Sequence, residues 1–143
     1  MHGNQRRVLH VDDDPQILRL VAQRLNQNGY EVISIQEPDR AISTLLDCDC
    51  RVVLLDIDMP DISGLELLKR IKSHDGGLQV IMLTSLVSMS TVLESMRWGA
   101  EACIFKPLTD FSPLLDAMQA SFAKVDRWWD ALKDLSQRKH QMA

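Results

Sequence analysis

The sequence predicts an α/β domain: a parallel five-stranded sheet with helices on both faces and a long helix at its C-terminal end. Three observations predict it. Short apolar runs alternate with amphipathic helical stretches five times along the 143 residues. The third run, Arg51 to Leu55, is apolar after its first residue, which suits a strand covered on both faces. Acidic, hydroxyl and amine side chains fall at or just beyond the ends of the runs, where ligands collect in open α/β folds.

The elements follow in order. Arg6 to Val11 reads as the first strand. Asp14 caps the helix after it, and Pro15 takes the first helical position, where its missing N–H costs nothing. Ile17, Leu18, Val21 and Leu25 keep helical spacing, and Asn28-Gly29 ends the helix. Tyr30 to Ile35 is the second strand, and Pro38 opens a second helix through Ala41, Ile42, Leu45 and Leu46. After the third strand, Gly64 to Ser73 forms a helix with Leu65, Leu68 and Ile71 inward. Gln79 to Thr84 is the fourth strand. Ser88 or Ser90 caps a helix carrying Val92, Leu93 and Met96, which Gly99 ends. Ala102 to Phe105 is a short fifth strand, and a last helix starts near Asp110.

That last helix is longer than the fold needs. Phe111, Leu115, Met118, Phe122, Val125, Trp129 and Leu132 alternate steps of four and three, the 3.5-residue period of a coiled-coil seam. Leu114, Trp128 and Leu135 widen the stripe. The first turns are expected to cover the sheet. Residues 125–143 read as an extension to a domain of residues 1–124. The extension folds back on its own domain, forms a homodimer or partner-helix contact, or is a helical linker to an output domain.

Composition narrows the function class. The chain is 45% hydrophobic and 25% charged, enough apolar residue for one packed domain. A net charge of −4 gives no general basic footprint, so direct nucleic-acid binding is not expected. Residues 1–7 have no signal-peptide core and no apolar run approaches a bilayer span, so a cytoplasmic protein without membrane contact is expected. The three cysteines, Cys48, Cys50 and Cys103, are odd in number and lack zinc spacing, and are expected as free thiols. His10 inside the first strand reads as a packed residue, and His2, His74 and His140 show no metal spacing.

Right-handed crossovers place all strand C-termini on one rim. There Asp12, Asp13, Asp56, Thr84 and Lys106 converge. Clustered carboxylates repel unless a proton or cation intervenes, and Mg2+ with its preference for oxygen is the natural remedy. The metal neutralises charge and frees Asp56 as a nucleophile toward phosphorus. Lys106 supplies a point positive charge and Thr84 a hydroxyl donor for phosphoryl oxygens. Taken singly, each has an ordinary reading: helix-capping acid, loop acid pair, turn lysine, strand-end threonine. Their placement on successive strand ends carries the reading.

With these residues in view, the chain resembles the receiver domains of response regulators in two-component signalling, the CheY-like family. The resemblance runs from about Arg6 to Ser121. It rests on Val11-Asp-Asp-Asp-Pro15, Leu54-Leu-Asp-Ile-Asp-Met-Pro-Asp-Ile-Ser-Gly64, Ile81-Met-Leu-Thr-Ser85 and Phe105-Lys-Pro107. It implies a doubly wound, flavodoxin-like sheet in the order 2-1-3-4-5, for which CheY is a standard example. It implies that Asp56 accepts the phosphoryl group, that Asp13 ligates Mg2+ directly and that Asp12 holds metal-bound water. The backbone carbonyl of Asp58 completes the metal site, Thr84 is the switch hydroxyl, and Lys106, in a cis bond to Pro107, contacts the phosphate. The donor is a phosphohistidine on a sensor kinase or phosphotransfer protein, and the protein is a switch rather than a turnover enzyme.

The chain departs from the family pattern in two places. Cys103 stands where an aromatic residue is usual, and Asp58 is acidic at a variable position. Two other readings compete with the switch. Asp56-Ile-Asp58 has the Asp-x-Asp form of haloacid-dehalogenase-type phosphatases, against which the following Met-Pro and the absence of a cap domain count. A binding module that keeps only the fold is the other rival, and the intact site residues count against it.

Overall fold

The computed structural model describes residues 6–85 and 88–142. Strands β1 (Arg7–Val11), β2 (Glu31–Ile35), β3 (Val52–Leu55), β4 (Gln79–Thr84) and β5 (Ala102–Phe105) alternate with helices α1 (Pro15–Gln27), α2 (Ala41–Cys48), α3 (Gly64–His74), α4 (Met89–Arg97) and α5 (Ser112–Met142). A 3-10 turn over Pro38–Arg40 leads into α2. All pairings are parallel and the order is β2-β1-β3-β4-β5, as the resemblance implied. Among the described residues no helix is long and apolar enough to cross a membrane.

The sheet separates two cores. On one face Leu9, Val11, Val53 and Leu55 pack with Leu45 of α2 and with Leu67, Leu68 and Ile71 of α3. On the other, Val8, Val52, Leu54 and Leu83 meet Val21 and Leu25 of α1 and Leu114, Met118 and Phe122 of α5. Successive residues of β3 thus serve opposite faces, which is why its sequence shows no polar alternation.

Local chemistry fixes the helix starts. The Asp14 carboxylate accepts from the Gln16 amide at 2.9 Å. Ser63 accepts from the Glu66 amide at 3.2 Å, with Glu66 at the third helical position of a capping-box spacing. Ser88, rather than Ser90, caps α4 through the Thr91 amide. Gly29 and Gly99 take left-handed conformations, each with φ 87°, and end α1 and α4.

Four expectations need correction. In α3 the fully inward residue is Leu67, while Leu65 is only half-buried, because the helix turns Leu67, Leu68 and Ile71 onto the sheet. In α4 the expected apolar stripe faces outward: Leu93 is 44% and Met96 66% exposed, and small Ser95 is buried. Ser95 turns its hydroxyl back to the Thr91 carbonyl at 2.8 Å, so its polar group needs no solvent. Cys48 and Cys50 are not free thiols but a disulfide. Asp49, at φ 55°, turns the chain out of α2 and brings the flanking Cα atoms to 5.4 Å, within bridging range. The last helix starts at Ser112 rather than Asp110, whose carboxylate accepts from the Ser112 amide at 2.9 Å. Cys103 stays free and half-buried, and His2 lies outside the described residues.

Helix α5 does not fold back. Its 31 residues span about 46 Å at 1.5 Å per residue. Leu114, Met118, Phe122 and Val125 are buried, and every described side chain from Arg127 onward is exposed. An Arg6–Asp126 ion pair at 3.2 Å and a stacked Tyr30–Phe122 pair mark the last turns tied to the domain. Trp128, Trp129, Leu132 and Leu135 continue the buried stripe into solvent, and the first three line a groove with Arg51 and Gly77.

Gly64 allows the chain after β3 to return tightly. Its amide donates to the Ile57 carbonyl at 2.9 Å. A Cβ here would overlap the Asp56 carbonyl oxygen and lie 2.7 Å from the Ile57 Cα, both backbone atoms that cannot swing aside. Gly64→Ala is therefore expected to lower stability by about 1–3 kcal/mol, the usual cost of overpacking, as read by denaturant unfolding. An unchanged unfolding midpoint would contradict this account of the turn.

Candidate functional site

The carboxyl ends of β1, β3, β4 and β5 build the site. The ladder runs past the formal strand ends: the Asp12 amide donates to the Ile35 carbonyl at 3.2 Å, and the Asp56 amide to Val11 at 3.0 Å. These bonds fix both backbones where the carboxylates leave the sheet. Asp12 is fully buried, Asp56 is 3% exposed and Asp13 is exposed. One oxygen from each of the three can lie within 4.8 Å of the others.

Lys106 lies between two of these acids. Its ammonium is 2.8 Å from Asp12 Oδ2 and 3.4 Å from Asp56 Oδ1. The backbone places it: the Lys106 amide donates to the Thr84 carbonyl at 2.8 Å, and the Lys106–Pro107 bond is cis. Thr84 ends β4 fully buried, in register with Phe105. The Asp14 amide donates to Asp12 Oδ1 at 2.9 Å, and the Asp58 amide to Asp56 Oδ1 at 3.3 Å.

The structure thus gathers Asp12, Asp13, Asp56 and Lys106, and sets Thr84 on the strand beside them. It leaves the Asp58 side chain exposed and outside the carboxylate group, while the Asp58 backbone amide donates to Asp56. An acidic groove opens from the Asp13 side between the segments after β2 and β3, lined also by Glu37, Asp39, Asp61 and Glu66. Its charge favours entry of a cation. An all-oxygen donor set with one exposed member fits a hard divalent ion that keeps several waters. His10, expected as a packed residue, is fully buried, and its ring lies 3.9 Å from Asp12 Oδ2. The period-two alternation of β1 was the signal that places the two on one face.

Burial and the neighbouring Asp12 charge push the Asp56 carboxyl up to about 6, against the opposing pull of Lys106 and the Asp58 amide. Burial alone would pull the Lys106 amine down, but its hydrogen bond to Asp12 and the charges of Asp12 and Asp56 raise it, so it stays cationic. An ionised Asp56 therefore costs the metal-free fold energy. The native carboxyl holds its proton up to about pH 6, the unfolded one only to its ordinary value of 3.8. Between these values the native state binds more protons, so stability falls as pH rises, and the penalty is complete above about pH 6. Asp56→Asn removes it. In chelator-treated buffer at pH 8 the variant is expected to be about 1–3 kcal/mol more stable than wild type. Below pH 4 the gain should vanish. Denaturant unfolding across that range is the measurement, and an Asn variant less stable at pH 8 would contradict the electrostatic account.

Comparison with known proteins agrees with this geometry. Residues 8–119 match the family model of the response regulator receiver domain. Over 101 residues the chain is 32% identical to the regulatory protein AtoC of Escherichia coli strain K12, covering 71% of this chain and 22% of that protein. It is 33% identical over 119 residues to the C4-dicarboxylate transport transcriptional regulatory protein DctD of Pseudomonas aeruginosa, covering 80% and 25%. The chain spans between 22% and 46% of the length of the curated relatives it matches. Among solved structures, a CheY-like receiver domain protein from Methanospirillum hungatei superposes with a TM-score of 0.79 at 30% identity, covering 86% of this chain and 98% of that one. Response regulator TrrA from Thermotoga maritima, solved in complex with Mg(2+)-BeF, gives 0.74 at 30% identity, covering 82% and 99%. Fold, family match and acidic pocket coincide over the same residues, and the chain belongs to the receiver domain family of two-component response regulators.

Proposed function

We propose that Asp56 accepts a phosphoryl group from a phosphohistidine on a sensor kinase or phosphotransfer protein, and that the acyl phosphate biases the domain toward a second conformation. The observation that carries this reading is the meeting of the Asp12, Asp13 and Asp56 carboxylates with Lys106 at one rim. An Asp56 oxygen attacks phosphorus, the P–N bond breaks, and its electron pair leaves on the imidazole, which takes a proton from solvent. Asp12, Asp13 and Asp56, with the Asp58 backbone carbonyl, would hold Mg2+. When bound, the ion neutralises charge on the carboxylates and on the transferring oxygens. Lys106 contributes a second positive charge to the phosphoryl oxygens, and Thr84 a hydroxyl donor. The new charge and acceptors draw Thr84 and its loop inward, which alters the surface beyond them.

The chemistry is one covalent transfer and a later hydrolysis on the same aspartate, so the protein acts as a switch rather than a turnover enzyme. A kinase partner sets it in the cytoplasm. With Cys103 in place of an aromatic residue, no ring at that position can turn in behind Thr84, and coupling to the output uses another route.

A phosphotransfer assay tests the reading. Wild type should form one acid-labile acyl phosphate that needs divalent metal. Asp56→Asn should lose at least about 100-fold in yield, since it removes the carboxylate that takes the phosphoryl group. Equal labelling of the Asn variant, or labelling undiminished by chelator, would refute it.

We further infer a receiver unit of residues 1–124 and an interface segment of residues 125–143. The exposed stripe Trp128, Trp129, Leu132 and Leu135 is larger than scattered surface apolar residues and continues a buried one. The partner is expected to be a second copy or another helix of matching stripe. Light scattering over a dilution series should show dimers that Leu132→Asp abolishes. A strict monomer at all concentrations, with and without a phosphoryl mimic, would remove the homodimer.

A further inference from the structure

His10 is the one buried charged-type side chain of the sheet that the switch chemistry does not use. It lies in mid-β1, in register between Ser34 and Leu54, and is fully buried. Alternation puts Val8, His10 and Asp12 on the face toward α1 and α5. Among the described residues neither ring nitrogen has a hydrogen-bond partner. A buried donor and acceptor left bare destabilise a fold, whereas an apolar residue of similar size there would not.

The ring lies under one atom of the site. His10 Nε2 is 3.9 Å from Asp12 Oδ2, about 1 Å too far for a hydrogen bond. That oxygen accepts from the Lys106 ammonium, while Asp12 Oδ1 is taken by the Asp14 amide. Lys106 also reaches toward Asp56. A phosphoryl group on Asp56 adds strong acceptors beside that ammonium and draws it away from Asp12. Asp12 Oδ2 would then be a buried carboxylate oxygen with its donor removed, a costly state.

We propose that His10 is a positioning residue: a reserve donor whose Nε2–H pairs with Asp12 Oδ2 when Lys106 turns to the phosphoryl group, lowering the cost of the phosphorylated state. The inference rests on the phosphoacceptor reading above. An imidazole carries at least one N–H in either protonation state. Placing that hydrogen on Nε2 aims it at the carboxylate. In the unphosphorylated state the ring waits unpaired, and a shift of about 1 Å completes the bond.

The test compares wild type, His10→Leu and His10→Gln by titration with Mg2+ and beryllofluoride, alongside thermal unfolding without ligand. His10→Leu should unfold at the same or a higher temperature, because it removes two bare polar atoms. It should nevertheless take up the phosphoryl mimic about tenfold more weakly, the worth of one hydrogen bond to a charged group. His10→Gln, which keeps an N–H donor, should recover part of the affinity. Unchanged affinity in His10→Leu overturns the inference, as does a loss of affinity that only follows a loss of stability. Should His10→Leu fail to fold, imidazole nitrogen resonances of the wild type decide: the Nε2–H signal should move downfield on adding the mimic, and a stationary signal overturns the inference. Wild type that takes up no mimic at all would instead sink the phosphoacceptor reading itself.

Discussion

One ammonium group shared by two buried carboxylates holds the functional end of this molecule together. Lys106 sits 2.8 Å from Asp12 and 3.4 Å from Asp56, in a place where desolvation and mutual repulsion disfavour two ionised acids. Asp12 and Lys106 lie 94 residues apart, and only the parallel winding of the sheet brings them together. Removing the lysine would leave buried negative charge uncompensated, a far larger loss than that of a surface ion pair. The arrangement is stable enough to form and tense enough to respond. On the proposed function, a divalent ion or a phosphoryl group would change the charge that Lys106 answers to.

The fold was legible because its signals are local and repeat. Asp14-Pro15 marks a helix start by a hydrogen bond that reaches only two residues along the chain. The unbroken apolar run of β3 marks burial on both sides. The site was legible because Asp12, Asp13, Asp56, Thr84 and Lys106 each end or follow a strand, so one rim collects them without knowledge of side-chain geometry. The family match covers Asp56 and Asp58 and favours the receiver reading over the Asp-x-Asp phosphatase one.

What failed needed tertiary information. Apolar spacing in α4 fixes a stripe but not the direction it faces, and Ser95 with its hydroxyl turned to Thr91 gives the smaller surface for packing. Whether Leu65 or Leu67 goes inward depends on a helix rotation that Gly64 and the turn before it set. The Cys48–Cys50 pairing depends on the left-handed Asp49, which no count of cysteines reveals. His10 was read correctly as packed, yet its relation to Asp12 is a matter of ångströms. For α5, the heptad spacing was visible but its end point was not, since period alone does not say whether a helix bends back or runs on.

The running-on of α5 has a mechanical consequence. No proline or glycine interrupts it after Pro113, and its inner half is gripped by the sheet at Leu114, Met118 and Phe122. It is therefore a stiff rod clamped at one end. About 17 residues project past Val125, or some 25 Å. A tilt of about 5° at the clamp sweeps the free tip through roughly 2 Å, close to the helix shifts of 1–2 Å by which subunit interfaces change state. A displacement too small to repack the core beneath the sheet thus reaches the far tip at a size that whatever binds there can read.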